Sequence, residues 1–418
     1  MIDELHLACR DCGAMYHVCG SLPRDGGLRC QRCGAVLWRM PASRIAVSRA
    51  LVAAAAILLS AANIFPVLDI TVFGVHRSAL IASGALTLFS YGGAIAAVGA
   101  LVALFAVLAP AFDIIALLMA VFRVGTSARR TCQPSAPARI WRAAVWLRQW
   151  SMLDVFLLAA IVAYSRLAQL AEIKIGIGGC LLAVYVILRA IISQLTGRER
   201  VWAAIDHPAK YRLPVGASRV PCLARDLVVV ASTEGGENHS HDPPCGARVM
   251  PRRPGSFATT AAFSLAGLLL YVPANLLPVL SITRFGFSTP YTIIGGVRDL
   301  AAAGLWPLAA IVFVASIAVP ALKLASLAWF LAAIRLRSAR LLRQRMVLYR
   351  FLKHIGRWSN IDVFVVAIAA ALVQFGFITR VEPGTGIAGF AGVVLLTMIA
   401  TETFDPHLMR DAAAVHSR

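Results

Sequence analysis

Acidic residues are scarce in this sequence, and charged residues of either sign are few. Of 418 residues, 14% are charged and only 20 are Asp or Glu, against 40 Lys or Arg. Soluble domains carry about 25% charged residues, so a chain that is 59% hydrophobic is typical of a multi-span membrane protein. A net charge of +20 also suits nucleic-acid binding, but the basic residues cluster beside apolar runs, so we expect no nucleic-acid partner.

Catalytic motifs are missing as well. The chain has no Walker A motif, no G-x-G-x-x-G after a strand, no H-E-x-x-H and no G-x-S-x-G. The N-terminus, MIDELHLACRDCG, has no apolar run of the kind found in a cleavable signal peptide. We therefore expect a protein that is not an enzyme and whose N-terminus is not exported.

Long apolar runs are abundant, and they predict an all-α polytopic membrane protein. A helix needs about 20 apolar residues to cross a bilayer. Eight segments qualify as membrane-spanning helices: 45–65, 92–122, 152–171, 175–195, 257–279, 304–334, 361–379 and 386–403.

The loops between these segments predict the orientation. The loop at 123–148 has six Arg and no acid, and the loop at 335–357 has eight Lys or Arg and no acid. By the positive-inside rule both loops, both termini and the central segment face the cytoplasm of a bacterial inner membrane. The basic, apolar runs ARIWRAAVWLRQW and LLRQRMVLYRFLKHI within these loops either lie along the membrane surface or extend the neighbouring span.

The chain repeats itself. NIFPVLDITVFG (63–74) matches NLLPVLSITRFG (275–286), PAFD matches PALK, and WSMLDVF matches WSNIDVF, at offsets that drift from 212 to 208. This pattern predicts a tandem duplication of a four-span unit, at 44–200 and 257–410, with parallel repeats. After each P-V-L, residues rich in β-branched side chains and turn glycines predict a short two-stranded excursion on the outer face.

Cysteines are grouped near the N-terminus. Two C-x2-C pairs separated by 17 residues, at Cys9, Cys12, Cys30 and Cys33, predict one structural zinc in a cytoplasmic ribbon spanning 1–43. The segment 201–256 reads as a second ribbon that has lost one ligand from each pair. The alternative is that this segment holds a rebuilt metal site. At the end of the chain, residues 411–418 are expected to form a short cytoplasmic tail. The rebuilt site would use Cys222, His239, His241 and Cys245.

Polar residues inside membrane spans are costly, and they suggest function by default. Superposing the repeats aligns polar positions, which predicts one cluster in each half. The second-half cluster comprises Ser316, Lys323, Asp362 and Thr397, pairing as Lys–Asp; the first-half cluster comprises Asp113, Asp154 and Arg189, pairing as Asp–Arg. Pro110 and Pro320 precede the charged residue of each P-A-x-[DK] and are expected to kink the helix.

A structural interpretation of these residues competes with the functional one. An acid suits the first turn of a helix, so Asp154 and Asp362 fit their positions without any ligand. Ser151 and Ser359 would then be the N-caps, and Lys323 would extend its ammonium toward the membrane surface.

Together, the four-cysteine ribbon and the repeated N-x-x-P-V-L, P-A-x-[DK] and W-S-x-x-D-V-F motifs resemble the paraquat-inducible protein A family over nearly the whole chain. The resemblance implies an inner-membrane protein that works with a periplasmic MCE-domain partner. It implies lipid transport between inner and outer membranes, envelope maintenance, and a functional site at Ser316, Lys323, Asp362 and Thr397. Two alternatives are a zinc-dependent scaffold that only anchors the MCE partner, and a proton-coupled exporter of small solutes.

Overall fold

The computed structural model describes the two apolar halves of the chain with few gaps and the remaining segments in pieces. We call residues 45–195 the first half and residues 256–403 the second half. The structure describes residues 5–9, 15–18, 27–32, 34, 36–39, 45–72, 75–123, 136–168, 172–195, 219–222, 227–230, 240–241, 248–249, 255–284, 286–338, 340–375 and 379–414.

The first half is built from helices rich in Ala, Leu and Ile. These side chains stabilise the fold by packing in an apolar environment and make no polar contacts. Helices α3 and α4 are continuous with each other through one π-helical segment, and together they form a 30-residue apolar span. The helices are α1 Ile45–Ile64, α2 Ser83–Ser90, α3 Gly93–Ala103, α4 Ala109–Arg123, α5 Ala136–Leu147, α6 Leu153–Leu167 and α7 Ile177–Leu195.

The second half presents the same succession of elements, and one short helix follows it. Each helix from α8 to α14 occupies the place that the helix seven numbers lower has in the first half. The helices are α8 Ser256–Leu276, α9 Ile293–Ala302, α10 Trp306–Phe313, α11 Val319–Arg335, α12 Leu342–Ile355, α13 Ile361–Leu372, α14 Gly386–Thr403 and α15 His407–Ala414.

Within the described residues, eight helical stretches are long and apolar enough to cross a membrane, which confirms a mostly helical, multi-pass membrane protein. The predicted edges agree with the helix ends within a few residues except at the seventh span. The third and seventh stretches, Ile140–Ser165 and Leu342–Leu372, also include the helix that precedes each predicted span. Helix α13 ends at Leu372 rather than near residue 379, because Gln374 already forms a β-bridge with Arg380. The apolar residues after Leu372 therefore leave the helix to reach a sheet.

The two prolines are accompanied by an irregularity of the helix that the sequence analysis did not predict. A π-helical segment lies directly before each of them, Leu104–Leu108 before Pro110 and Val314–Ala318 before Pro320. A π-helical turn adds one residue to the helix, so it absorbs the missing N–H of proline without breaking the span. Such segments are rare and frequently mark functional sites.

Backbone carbonyls within the two π-helical segments find other donors. The Phe105 carbonyl accepts the Met152 backbone N–H at 3.2 Å, and the Ile317 carbonyl accepts the Tyr271 hydroxyl at 3.1 Å. Irregular backbone inside a span is tolerated only when its polar groups are satisfied in this way.

Each half carries an antiparallel sheet of three strands rather than the predicted two. The hairpin after P-V-L supplies two strands, and the loop before the last helix of the half supplies the third. In register, Leu68 lies opposite Ile175, and Leu280 lies opposite Pro383. The strands are β5 Leu68–Val72, β6 Val75–Ala79 and β7 Glu172–Ile175, then β12 Leu280–Arg284, β13 Phe287–Tyr291 and β14 Thr379–Pro383.

A glycine joins the third strand to the helix that follows it. The Gly384 N–H donates to the Val279 carbonyl at 2.9 Å, and Gly176 makes the matching bond to Val67 at 3.0 Å. A Cβ atom on Gly384 would lie 2.2 Å from the Pro278 carbonyl oxygen. The close backbone crossing therefore requires glycine at both positions.

Two of the N-terminal strands share a sheet with two of the strands between the halves, and the other four strands form two separate two-stranded sheets. The order in the shared sheet is β2 (Met15–Val18), β1 (Leu5–Ala8), β9 (Leu227–Val230) and β8 (Arg219–Cys222), and Leu7 lies opposite Leu227 where the two segments meet. The strands outside the two halves are β1 Leu5–Ala8, β2 Met15–Val18, β3 Gly27–Arg29, β4 Val36–Arg39, β8 Arg219–Cys222, β9 Leu227–Val230, β10 Ser240–His241 and β11 Arg248–Val249.

The halves meet along α6 and α13, and the contacts join residues that are 208 positions apart. The Phe156 and Phe364 rings pack edge to face with centroids 5.5 Å apart, and the Asn360 amide lies 2.9 Å from the Met152 sulfur. Contacts between equivalent residues indicate an approximate two-fold relation between the halves, with its axis near these four side chains. Nearly all of α13 is buried as a result.

Helices α5 and α12 carry the basic, apolar runs of the two loops. A 3-10 turn separates each from the following span, Arg148–Trp150 before α6 and Gly356–Asn360 before α13. Each run nevertheless belongs to the same long apolar stretch as the helix that follows it, Ile140–Ser165 and Leu342–Leu372, so both interpretations of these runs stay open.

Candidate functional site

All four polar residues of the second-half cluster are buried. The exposed fraction is 1% for Ser316, 1% for Lys323, 7% for Asp362 and 0% for Thr397, so none of these side chains points to the surrounding membrane. They come from the π-helical segment and from α11, α13 and α14. Burying a polar group costs free energy unless a hydrogen-bond or charge partner replaces the lost water. The partner of each side chain therefore shows whether the residue is already satisfied within the protein.

Lys323 does not pair with Asp362 as predicted. Its Nζ atom donates to the Gly356 carbonyl oxygen at 2.9 Å. The 3-10 turn before α13 brings that carbonyl into the helix bundle, and a Cβ atom on Gly356 would lie only 2.7 Å from Lys323 Cε. The missing side chain at Gly356 thus makes room for the lysine, and a backbone dipole takes the place expected for the carboxylate.

The two hydroxyls of the cluster differ in their partners. Thr397 Oγ1 donates to the Val394 carbonyl at 3.0 Å within its own helix. Ser316 Oγ is buried and has no hydrogen-bond partner in the described part of the chain. An unsatisfied buried hydroxyl costs about 1–3 kcal/mol, so Ser316 is suited to contact a polar group that arrives with a ligand.

In the first half the predicted Asp–Arg pair is present. Both Nε and Nη2 of Arg189 donate to Asp113 Oδ2, at 2.9 and 2.5 Å. Asp154 is exposed in the first turn of α6, whereas its counterpart Asp362 is buried. The first-half residues therefore form one closed ion pair and one surface acid.

The structural interpretation placed the two acids in the first turn of a helix and the two serines at the N-cap. The structure agrees for the acids but not for the serines. Asp154 and Asp362 lie in the first turns of α6 and α13. Met152 occupies the N-cap position of α6, and Asn360 that of α13, and neither makes a side-chain cap. The prediction for Ser151 and Ser359 was wrong by one position, because the 3-10 turn delays the start of each helix.

A cavity of about 230 Å³ opens beside Asp362, and we call it the sheet cavity. It lies between the second-half sheet, α9, α10 and α13, and it extends along α13 from Asp362 to Ala369, about 10 Å at the rise of an α-helix. Apart from Asp362, Asp299 and few other polar groups, its walls are aliphatic. Such a space accepts hydrocarbon along its length and a polar group at Asp362.

The sheet cavity exists because the two halves are not equivalent at one contact. In the first half, α2 packs closely on α13: a Cβ on Gly84 would lie 2.9 Å from the Ala367 backbone. The glycine 212 positions later, Gly296 on α9, faces the cavity instead, with Ala163 of α6 among the other lining residues. The gap on this side is the space that α2 fills on the other.

Two of the four predicted zinc ligands lie within the described residues. The Cys9 and Cys30 thiols are buried, and the Tyr16 hydroxyl lies 3.1 Å from Cys30 Sγ. That hydrogen bond, together with burial, raises the pKa of the Tyr16 hydroxyl, which keeps it a donor to sulfur. Buried thiols with an O–H donor fit a thiolate metal site.

The rest of the metal prediction lies outside the described residues. This is so for Cys12, Cys33, His239 and Cys245, while Cys222 and His241 are described only as strand backbone. The rebuilt second site therefore stays a prediction.

The sheet cavity was not foreseen from the sequence. Its lining comes from single residues of strands and short helices such as Val381 and Thr292, which carry no motif. The available signal was the pair of aligned glycines, Gly84 and Gly296, but a glycine does not reveal whether its neighbour approaches or withdraws.

The fold and the buried clusters define a multi-pass helical membrane protein with a mainly apolar cavity beside a buried acid. The family model for paraquat-inducible protein A matches the chain twice, at residues 45–206 and 257–414. The chain belongs to the paraquat-inducible protein A family.

Several known proteins are similar to this chain. The intermembrane transport protein PqiA of Escherichia coli strain K12 is 30% identical, over 97% of this chain and 95% of its own length. The lipophilic envelope-spanning tunnel protein A of the same strain is 30% identical over 64% of this chain and 61% of its own. A probable intermembrane transport protein of Haemophilus influenzae is 26% identical over 63% and 64%. No solved structure matches.

Proposed function

We propose that this protein is the inner-membrane component of a system that moves lipids between the inner and outer membranes. The observation that carries the proposal is the sheet cavity, an apolar space that begins at the second-half sheet and ends at the buried Asp362. The names of the relatives, intermembrane transport and envelope-spanning tunnel proteins, support it. The partner is a periplasmic MCE-domain protein that receives lipid at the sheet or delivers it there.

In this proposal the two clusters have different tasks. Ser316, Lys323, Asp362 and Thr397 handle the polar part of the transported lipid. Two observations support this role: Asp362 lines the sheet cavity, and Ser316 Oγ lacks a partner in the described chain. Asp113 and Arg189 stabilise the first half through their ion pair. The chain arose as a tandem duplication, and only one copy kept an open site.

The segments outside the spans complete the proposal. Residues 1–43 hold one structural zinc through Cys9, Cys12, Cys30 and Cys33. Residues 201–256 are a ribbon that no longer binds metal, and both termini face the cytoplasm. Bound zinc would supply a crosslink between the two C-x2-C turns, and no step of transport passes through it.

One observation favours a second candidate, a scaffold that anchors the MCE partner without moving lipid. Cys9 and Cys30 share a buried cluster with Phe404 and Met409, so the N-terminal segment packs near the end of the second half. A scaffold needs such a rigid attachment, and it does not need the sheet cavity.

The test uses Lys323→Ala and Asp362→Ala in a strain that lacks its own copies of the protein. The expected result is a normal amount of membrane protein, normal capture of the MCE partner, and failure to restore resistance to envelope stress. The control is Asp154→Ala, which removes the equivalent but exposed acid of the first half and should restore resistance fully. Full restoration by both second-half variants would reject lipid handling at this site and favour the scaffold.

A further inference from the structure

An open apolar groove lies on the second half, away from the sheet cavity. We call it the Trp358 groove; its volume is about 300 Å³, and its walls come from α10, the π-helical segment, the ends of α11 and α12, and the start of α13. Ala315, Val319, Ile355 and Ile361 line it. Trp358 forms part of its wall and is 46% exposed.

The equivalent place in the first half is filled by a side chain. Phe105 stacks on Trp150 with ring centroids 5.7 Å apart and planes inclined by 18°. Trp150 and Trp358 occupy the same position of the W-S-x-x-D-V-F motif. The π-helical segments are 210 residues apart and place Ala315 where the first half has Phe105. The phenyl ring that packs on the tryptophan in the first half is therefore missing from the groove.

The surroundings decide what can occupy this space. The groove lies between helices that cross the membrane, and its lining is aliphatic apart from the Trp358 ring. Water gains no hydrogen bonds there, and an empty apolar groove forfeits the dispersion contacts of its walls. In a bilayer, the apolar group that is available to fill such a groove is the acyl chain of a lipid.

The groove and the sheet cavity are separated by one layer of helix. Ile311 lines the groove and Val312 lines the cavity; likewise Ile361 lines the groove and Asp362 the cavity. Consecutive residues of α10 and of α13 thus face the two spaces from different sides of each helix.

We infer that the Trp358 groove binds one acyl chain of a membrane lipid, which lies on Trp358 where Phe105 lies on Trp150. This site rests on the proposed function and deepens it. A lipid would bind in the groove, on the membrane-facing side of the second half, before it reaches the sheet cavity. The first half lacks this position because its own side chain closes it.

The experiment fills the groove with the residue that the first half uses. The protein, with Ala315→Phe or unchanged, is placed in nanodiscs that contain a phospholipid with a photoreactive diazirine in one acyl chain. Labelling of the peptide containing Trp358 is then quantified by mass spectrometry. Ala315→Phe should reduce labelling at least about tenfold, the loss expected when roughly two methylene groups lose their burial.

Ala318→Leu is the matched control, since it copies Leu108 of the first half at a position that does not line the groove. Labelling should stay unchanged in this variant. If Ala315→Phe fails to fold, Ala315→Leu fills less of the groove and should give an intermediate reduction. Equal labelling in all variants, or no labelling of this peptide in the unchanged protein, would overturn the inference.

The outcome is separable from that of the proposed function. Labelling that depends on residue 315 supports the acyl-chain site whatever the variants Lys323→Ala and Asp362→Ala do in cells.

Discussion

Removing the Asp113–Arg189 ion pair as a unit should leave the protein stable, whereas removing either partner alone should not. The two side chains are 3% and 14% exposed, so each charge depends on the other for compensation. Removing one partner of a buried pair costs about 3–5 kcal/mol, because the other charge remains buried without compensation. Replacing both with apolar residues of similar volume is often neutral or stabilising.

The perturbation is a double-mutant cycle with Asp113→Leu, Arg189→Met and the double variant. Each single change should lower the free energy of unfolding in detergent by about 3 kcal/mol, and the double variant should lie within about 1 kcal/mol of the unchanged protein. Unfolding is followed by tryptophan fluorescence, with Asp154→Asn as a control at an exposed acid.

The same variants test the assignment of the first half. A purely structural pair predicts that the double variant restores resistance to envelope stress. Additive single effects would refute the argument from compensation. A stable double variant that fails in cells would show instead that the first half has a site of its own.

Two further predictions concern the backbone and the metal. Gly384→Ala should strongly reduce the amount of folded protein, because its Cβ would lie 2.2 Å from the Pro278 carbonyl oxygen. Gly389→Ala should not, since its Cβ would meet its nearest neighbour at 3.5 Å; equal yields of both in detergent-solubilised membranes would contradict the steric argument. Elemental analysis of the purified protein should find one zinc per chain, and Cys9→Ser should remove it. Retention of zinc after that change would show that Cys9 and Cys30 do not share a metal site.

The apolar runs predicted the helices well, because their length and composition leave few alternatives in a bilayer. The third strand of each sheet was not predicted, because EIKI and TRVEP are too short to be recognised as strands beside the long apolar spans. The Asp113–Arg189 pair followed from aligning the repeats, because complementary charges inside a membrane have few other partners.

The partner of Lys323 could not be predicted in the same way. It is a backbone carbonyl, and every residue has one, so no side-chain pattern marks it. The π-helical segments also left no clear trace beyond the prolines. By contrast, the exchange of Phe105 for Ala315 is visible in the aligned repeats, but it gains meaning only once Phe105 is seen stacked on Trp150.

The shared sheet of β1 and β9 has a consequence for the order of synthesis. Leu7 leaves the ribosome 220 residues before its partner Leu227. At about 5–20 residues per second, roughly 10–45 s pass in between, while the whole first half is made. During that time the strand edge of β1 that will receive β9 has no native neighbour, and an open strand edge invites wrong pairing. The N-terminal segment thus completes its fold only after four spans have been synthesised, which ties its assembly to the success of membrane insertion.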